Sequence, residues 1–89
     1  MKRFYSHYTF IYPGKFLKNY IVEISDEGNI LCEYPFEKEI QGTEFHSGLQ
    51  IFLPDGLVNK IRIADLVELE PRIATYIKNG SYLIRGFRV

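Results

Sequence analysis

The chain has 89 residues, 46% of them hydrophobic, and its eleven basic residues are matched by eleven acidic ones. A chain of this length has apolar material for one core only, so residues 1–89 form one domain, which buries about 60 to 65% of the surface its unfolded form exposes. The zero net charge supplies no long-range field toward phosphate or an anionic surface, which disfavours nucleic acid and membranes as partners.

From Arg3 to Tyr12 the sequence is dense in β-branched and aromatic residues, shows no helical stripe, and meets a turn signal at Pro13-Gly14, so it reads as a first strand. The basic start, Met1-Lys2-Arg3, runs into Ser6, His7 and Thr9 without a small-residue cleavage site and does not have the form of a signal peptide. No stretch approaches the roughly 20 apolar residues that span a bilayer. Tyr20, Val22 and Ile24 alternate with Glu23 and Ser25 in the period of a half-buried strand, and Asp26-Glu27-Gly28-Asn29 turns the chain into a returning arm from Ile30 to Tyr34. Cys32 lies in that arm, where a buried, inert side chain is expected because no basic neighbour is placed to stabilise a thiolate. A single cysteine cannot form an internal disulfide, which fits a reducing, cytoplasmic setting.

Pro35 to Gln41 alternates charges around one apolar anchor, Ile40, as a solvated connection or edge would. Thr43 to His46 and Leu49 to Leu53 read as two short strands, ended by Pro54-Asp55-Gly56. Leu57 to Ile63 fits a loop or one helical turn. Ala64 to Glu70 alternates and is closed by Pro71, and Ile73–Lys78, Asn79-Gly80 and Ser81–Arg85 together predict a hairpin on a type I′ turn. The expected fold is all-β, a small β-sandwich or partly open barrel of seven or eight short strands.

Two stretches resemble the amidohydrolase superfamily, the metal-dependent hydrolases that include cytosine deaminase-like and chlorohydrolase-like enzymes. Leu17 to Leu31 is similar to that family's opening hairpin, and Phe45-His-Ser-Gly-Leu49 through Leu53-Pro-Asp-Gly-Leu-Val-Asn59 to its approach to the barrel. Ala64-Asp-Leu-Val-Glu-Leu69 with Ile77-Lys-Asn-Gly80 to Gly86 is similar to its closing strands. The resemblance implies the family's composite β-sandwich domain with the barrel, a unit of about 250 residues, excised and its cut ends rejoined through Leu57–Ile63. The family's His-x-His metal motif is missing, since Asn59 is followed by Lys60-Ile61-Arg62, so no metal ligand carries over.

The remaining constellations favour structure over chemistry. His7 and His46 fall on different strands, and a zinc site joining them to Asp55 or Asp65 would need convergence that the spacing does not suggest. Ser47 beside His46 is no nucleophile and base, because neighbouring strand residues point to opposite faces. Glu68 and Glu70 would share a strand face, read here as an acidic edge that discourages pairing. Gly42, Gly48 and Gly56 are dispersed and build no phosphate loop. Arg3, Phe4, Tyr5 and Tyr8 with Arg85, Phe87 and Arg88 could form a stacking platform for single-stranded nucleic acid, although a small core needs its aromatics for packing.

The expected function is therefore a non-catalytic structural or interaction module without cofactor, a remnant of a hydrolase in the light of the resemblance. The alternatives are binding of single-stranded nucleic acid or a small ligand through an aromatic face, and an accessory subunit that completes a hydrolase in trans. With the barrel absent, Phe52, Leu57, Val58, Ile61 and Ile63 are the candidate interface for a homodimer or a protein partner.

Overall fold

The computed structural model describes all 89 residues. The chain folds into five strands, β1 (Lys2–Ile11), β2 (Lys15–Ile24), β3 (Ile30–Pro35), β4 (Thr43–Pro54) and β5 (Tyr82–Phe87), and two short helices, α1 (Ile63–Leu69) and α2 (Ala74–Asn79), between β4 and β5. All strands belong to one mixed sheet in the order β3-β2-β1-β4-β5. The meander β1-β2-β3 is antiparallel, while β4 runs parallel to both β1 and β5. The protein is thus mainly β, as expected, but with one five-stranded sheet in place of seven or eight strands.

The opening strand and the hairpin around Asp26-Glu27-Gly28-Asn29 follow their predicted course. The two strands expected in residues 43–53 are one, β4, bridged through Gly48 at φ 110°. The greater differences lie after Pro54. A 3₁₀ turn at Asp55–Leu57 leads into α1, and a second at Pro71–Ile73 leads into α2, so the predicted strand at Ala64–Glu70 and the first arm of the predicted hairpin are helical. Ile63, Leu66, Val67, Ile73 and Ile77 all pack on one core, at helical spacing within each of the two pieces that the extended residue Glu70 separates. Pro71 is tolerated because it opens a new helical turn, where its missing N–H would have no partner in any case. These segments include much of the back half of the amidohydrolase resemblance, whose strands they do not reproduce.

Asn79-Gly80 ends a helix rather than turning a hairpin. Gly80 adopts φ 71°, its N–H donates to the Ile77 carbonyl at 3.2 Å, and the Ser81 N–H donates to the Tyr76 carbonyl at 2.9 Å, the two bonds of a Schellman cap. A type I′ turn and this cap both call on Asn-Gly, and the helical face at residues 63–77 decides between them.

Two clusters of apolar side chains lie on opposite faces of the sheet. Phe10, Leu49, Ile51 and Leu53 form one with Leu66 and Ile73 from the helical segment. Ile11, Val22, Ile24 and Phe52 form the other, covered by Phe4, Leu17, Ile30 and Phe87. That second face carries no helix. It is enclosed because the sheet curls until its ends meet: the Arg88 N–H donates to the Gly28 carbonyl at 2.8 Å, and Asn29 Nδ2 to the Arg88 carbonyl at 3.0 Å.

The clusters also reveal a break in the pleat. Phe4 and Ile11 share the concave face although their parity differs, as do Leu17 and Val22 on β2. Alternation is therefore interrupted once in each strand, between Ser6 and Tyr8 on β1, where the β4 register also shifts, and opposite it at Asn19, which has φ 58°.

The helix cap yields a test that separates the two readings of Asn-Gly. Asn79 ends a helix, so Asn79→Ala is expected to keep or raise stability by up to about 0.7 kcal/mol through better helix propensity. Gly80→Ala is expected to cost about 1 kcal/mol, because alanine resists positive φ. Denaturant unfolding of both variants checks this, and a large loss from Asn79→Ala would restore the hairpin.

Candidate functional site: an aromatic cleft on the outer face

The outer face, opposite the concave one, divides into two parts. The helical segment covers the part around Phe10, Leu49 and Ile51. Beyond the break in the pleat, Tyr5 of β1 and Phe45 of β4 are register neighbours that lie outside the helical cover. The connection between β3 and β4, residues 36–42, passes over this region and lays Phe36 against Tyr5, with ring centroids 4.3 Å apart and planes 12° from parallel. Phe45 continues the array, 5.2 Å from Tyr5 and tilted by 36°, and the exposed His7 imidazole meets the Phe45 ring edgewise at 5.3 Å.

Between these rings and the connecting segment is an open cleft of about 290 Å³, lined by Tyr5, Phe36, Glu39, Ile40, Thr43 and Phe45. Phe45 is 53% exposed, an unusual position for a large apolar ring in a domain with so little core to spare. Glu39 is the one charged group of the lining and makes no ion pair or hydrogen bond. The Thr43 hydroxyl is buried in the cleft wall without a partner. Sequence reasoning named Tyr5 within a different platform and missed Phe36, Glu39, Thr43 and Phe45 as a group. The apolar anchor Ile40 in an otherwise polar connection was the available signal.

Beside the cleft, Glu23 gathers a polar network. Its carboxylate accepts from Tyr34 Oη at 2.6 Å, Arg3 Nε at 3.0 Å and Cys32 Sγ at 3.5 Å. The Tyr34 hydrogen bond and then Arg3 hold the Glu23 carboxyl below its usual range. Cys32 is exposed, contrary to the expected burial, because it is on the solvent side of an edge strand. Desolvation and the neighbouring carboxylates push its thiol up, so it stays protonated and a poor nucleophile.

The concave face holds the other unusual group. Arg85 lies over the Phe4 ring, 3.8 Å from its centroid, and donates to Gln50 Oε1 at 3.2 Å and to Glu44 at 3.1 Å. Gln50 passes the network on through Nε2 to Thr9 Oγ1 at 3.0 Å. His46 shares this surroundings, its Nε2 buried without a partner. Burial, and then the Arg85 cation, hold its imidazole below the usual histidine value.

The structure separates most residues that the sequence grouped. His7 belongs to the aromatic array and His46 is next to Phe45 in the strand, so the two histidines point to opposite faces. Asp65 is held by Arg62 at the start of α1, and Asp55 sits in the 3₁₀ turn after β4. No group of three or more His, Cys, Asp or Glu residues is positioned to hold an ion. Glu68 and Glu70 do not pair on a strand: Glu68 is exposed on α1, while Glu70 is buried and binds Arg72 through both oxygens, at 2.7 and 2.9 Å. The proposed stacking platform is divided as well, with Phe4 under Arg85, Tyr8 against Tyr76 beneath the helices, and Tyr5 on the outer face.

The five candidate interface residues do not form one surface. Phe52 is fully buried in the concave cluster, whereas Val58, Ile61 and Ile63 pack against the opposite one and Leu57 is half-buried. The Leu57–Ile63 junction folds inward because it delivers the chain from β4 to α1 across the sheet face. No helix is long and apolar enough to cross a membrane. Comparison with family models, curated proteins and solved structures finds no match to this chain.

Two measurements follow from the unpartnered atoms. Thr43→Val removes a buried hydroxyl that bonds to nothing while keeping the side chain's shape, and it is expected to raise stability by about 1 to 2 kcal/mol. Unchanged or lower stability would show that the hydroxyl is satisfied. For His46 the sign follows from its lowered native value: as pH falls from about 6.5, the unfolded chain binds the proton before the native one, so stability falls. Asp26, Asp65, Glu23 and Glu70, whose values are also lowered, act at more acid pH. Thermal unfolding at pH 7 and pH 5 is therefore expected to show a larger loss for the wild type than for His46→Gln.

Proposed function

We propose that the protein is a non-catalytic interaction module that docks a segment of a protein partner in the cleft between Tyr5, Phe36 and Phe45. The observation that carries this reading is the aromatic array around a formed cleft, half-buried at Tyr5 and Phe36 and exposed at Phe45. A domain of this size gains most by burying its rings, and three of them are instead arranged along an open concavity, the usual form of an interface anchor pocket. The lining contains one carboxylate, Glu39, and the hydroxyls of Tyr5 and Thr43, and none of them is hydrogen-bonded to a histidine or lysine that would activate it, an arrangement suited to holding a ligand rather than transforming it.

Stacking of single-stranded nucleic acid would employ the same rings, but no Lys or Arg lines the cleft to follow a phosphate backbone.

Selection from a displayed peptide library tests the proposal. Enriched peptides are expected to bind the wild-type protein and to lose at least about tenfold in affinity to Phe45→Ala, the loss typical of an interface anchor. That variant should fold normally, since the ring is half in solvent. Selected peptides that ignore Phe45, or Phe45-dependent binding of labelled oligonucleotides at low salt in their place, would overturn it. Light scattering on the free protein identifies the case in which the partner is a second copy.

A further inference from the structure

We infer that the group received by the cleft is a guanidinium, the side chain of an arginine in the docked partner segment. This rests on the docking role proposed above and adds the chemistry of the ligand.

Three features converge on that group. The first is charge. Glu39 is the sole charged side chain in the lining and has no ion pair, and Glu37, two residues earlier, also has none. Lys38 faces a neighbouring cleft lined by Ile21, Tyr34, Pro35, Glu37 and Ile40, so it does not neutralise Glu39 from within the lining. An anion would meet an uncompensated carboxylate, and a purely apolar side chain would strip Glu39 of water without giving it a partner.

The second feature is shape. Tyr5 and Phe36 stack on each other within 12° of parallel and Phe45 extends the array, so the ring surfaces that this stack leaves uncovered are the flat faces offered to a flat ligand. A guanidinium is planar and weakly hydrated and stacks on aromatic faces, whereas an ammonium is compact and holds its water more strongly. The third is hydrogen-bonding capacity. A guanidinium carries five N–H donors and binds a carboxylate through two of them, leaving others for a further acceptor. Thr43 is in the lining and its hydroxyl has no partner, so it is the acceptor left for such a donor.

The test is a nuclear magnetic resonance titration of the intact protein with N-acetylarginine methylamide and with the matching citrulline, lysine and norleucine compounds. Arginine is expected to shift resonances of Tyr5, Phe36, Glu39, Thr43 and Phe45, and citrulline, equal in shape but uncharged, to bind at least fivefold more weakly. Glu39→Gln should bring arginine down to the citrulline level and leave citrulline unchanged, and Phe45→Ala should abolish both. Thr43→Val should weaken arginine binding while the fold remains intact by its amide spectrum. Equal binding of arginine and citrulline, tighter binding of lysine, or indifference to Glu39→Gln would overturn the guanidinium assignment. Norleucine binding in the cleft, or Phe45-dependent library peptides lacking arginine, would remove this assignment and leave the docking role standing. If library peptides ignore Phe45, both fall.

Discussion

The fold turns on a contact that only glycine permits. At Gly48 a Cβ would lie 2.4 Å from the Ser81 carbonyl oxygen, so the chain that leaves the α2 cap can settle on β4 only because no side chain is there. The Leu49 N–H then donates to that same carbonyl at 3.0 Å, and the Gly48 carbonyl accepts from Ser6 Oγ at 2.8 Å. One backbone point thus joins β1, β4 and the start of β5. It coincides with the break in the β1 pleat, and the break determines which rings go where. Tyr8 and Phe10 pass beneath the helical segment while Tyr5 and Phe45, on the same face, remain outside its reach.

The two faces are stabilised by different means. On the outer face the helical segment brings Leu66 and Ile73 to full burial, and Arg72 is both the partner of Glu70 and a cover for the Phe16 ring, 4.5 Å from its centroid. The concave face has no such layer and depends on the curl of the sheet, which encloses Phe52 and Val22 completely. Its far side accepts a partly buried cation, Arg85, by surrounding it with a ring face, an amide oxygen and a carboxylate. Desolvation makes that cation harder to keep, lowering its value despite Glu44. His46, beside the same cation, is held below the usual histidine value by burial and then by Arg85.

The local turns and the first three strands were legible in the sequence because their signals are short in range: period-2 alternation in residues 20–24, the Asp-Glu-Gly-Asn turn, and Pro13-Gly14. The helical segment was not, because Pro71 divides its apolar face into two pieces, each short enough to pass as a strand. The cleft was less legible still. Tyr5, Phe36 and Phe45 are on β1, the connection and β4, so they meet only through parallel pairing of strands that are about 40 residues apart, and nothing in local periodicity reports that. The inward fold of Val58, Ile61 and Ile63 has the same origin, since whether an apolar junction is buried depends on which layer its chain must cross.

The position of β1 in the middle of the sheet has a consequence for how the molecule comes together. The meander β1-β2-β3 closes through short turns and can form as soon as residue 35 is available, whereas the other edge of β1 waits for β4. Parallel pairing across so long a loop is slow, because the entropy of closing it is lost before contacts repay it. During that interval β1 presents an unpaired edge with Phe10 uncovered, a template for any other extended chain. The rate at which β4 arrives, more than the final stability, therefore governs how much of the protein escapes aggregation as it folds.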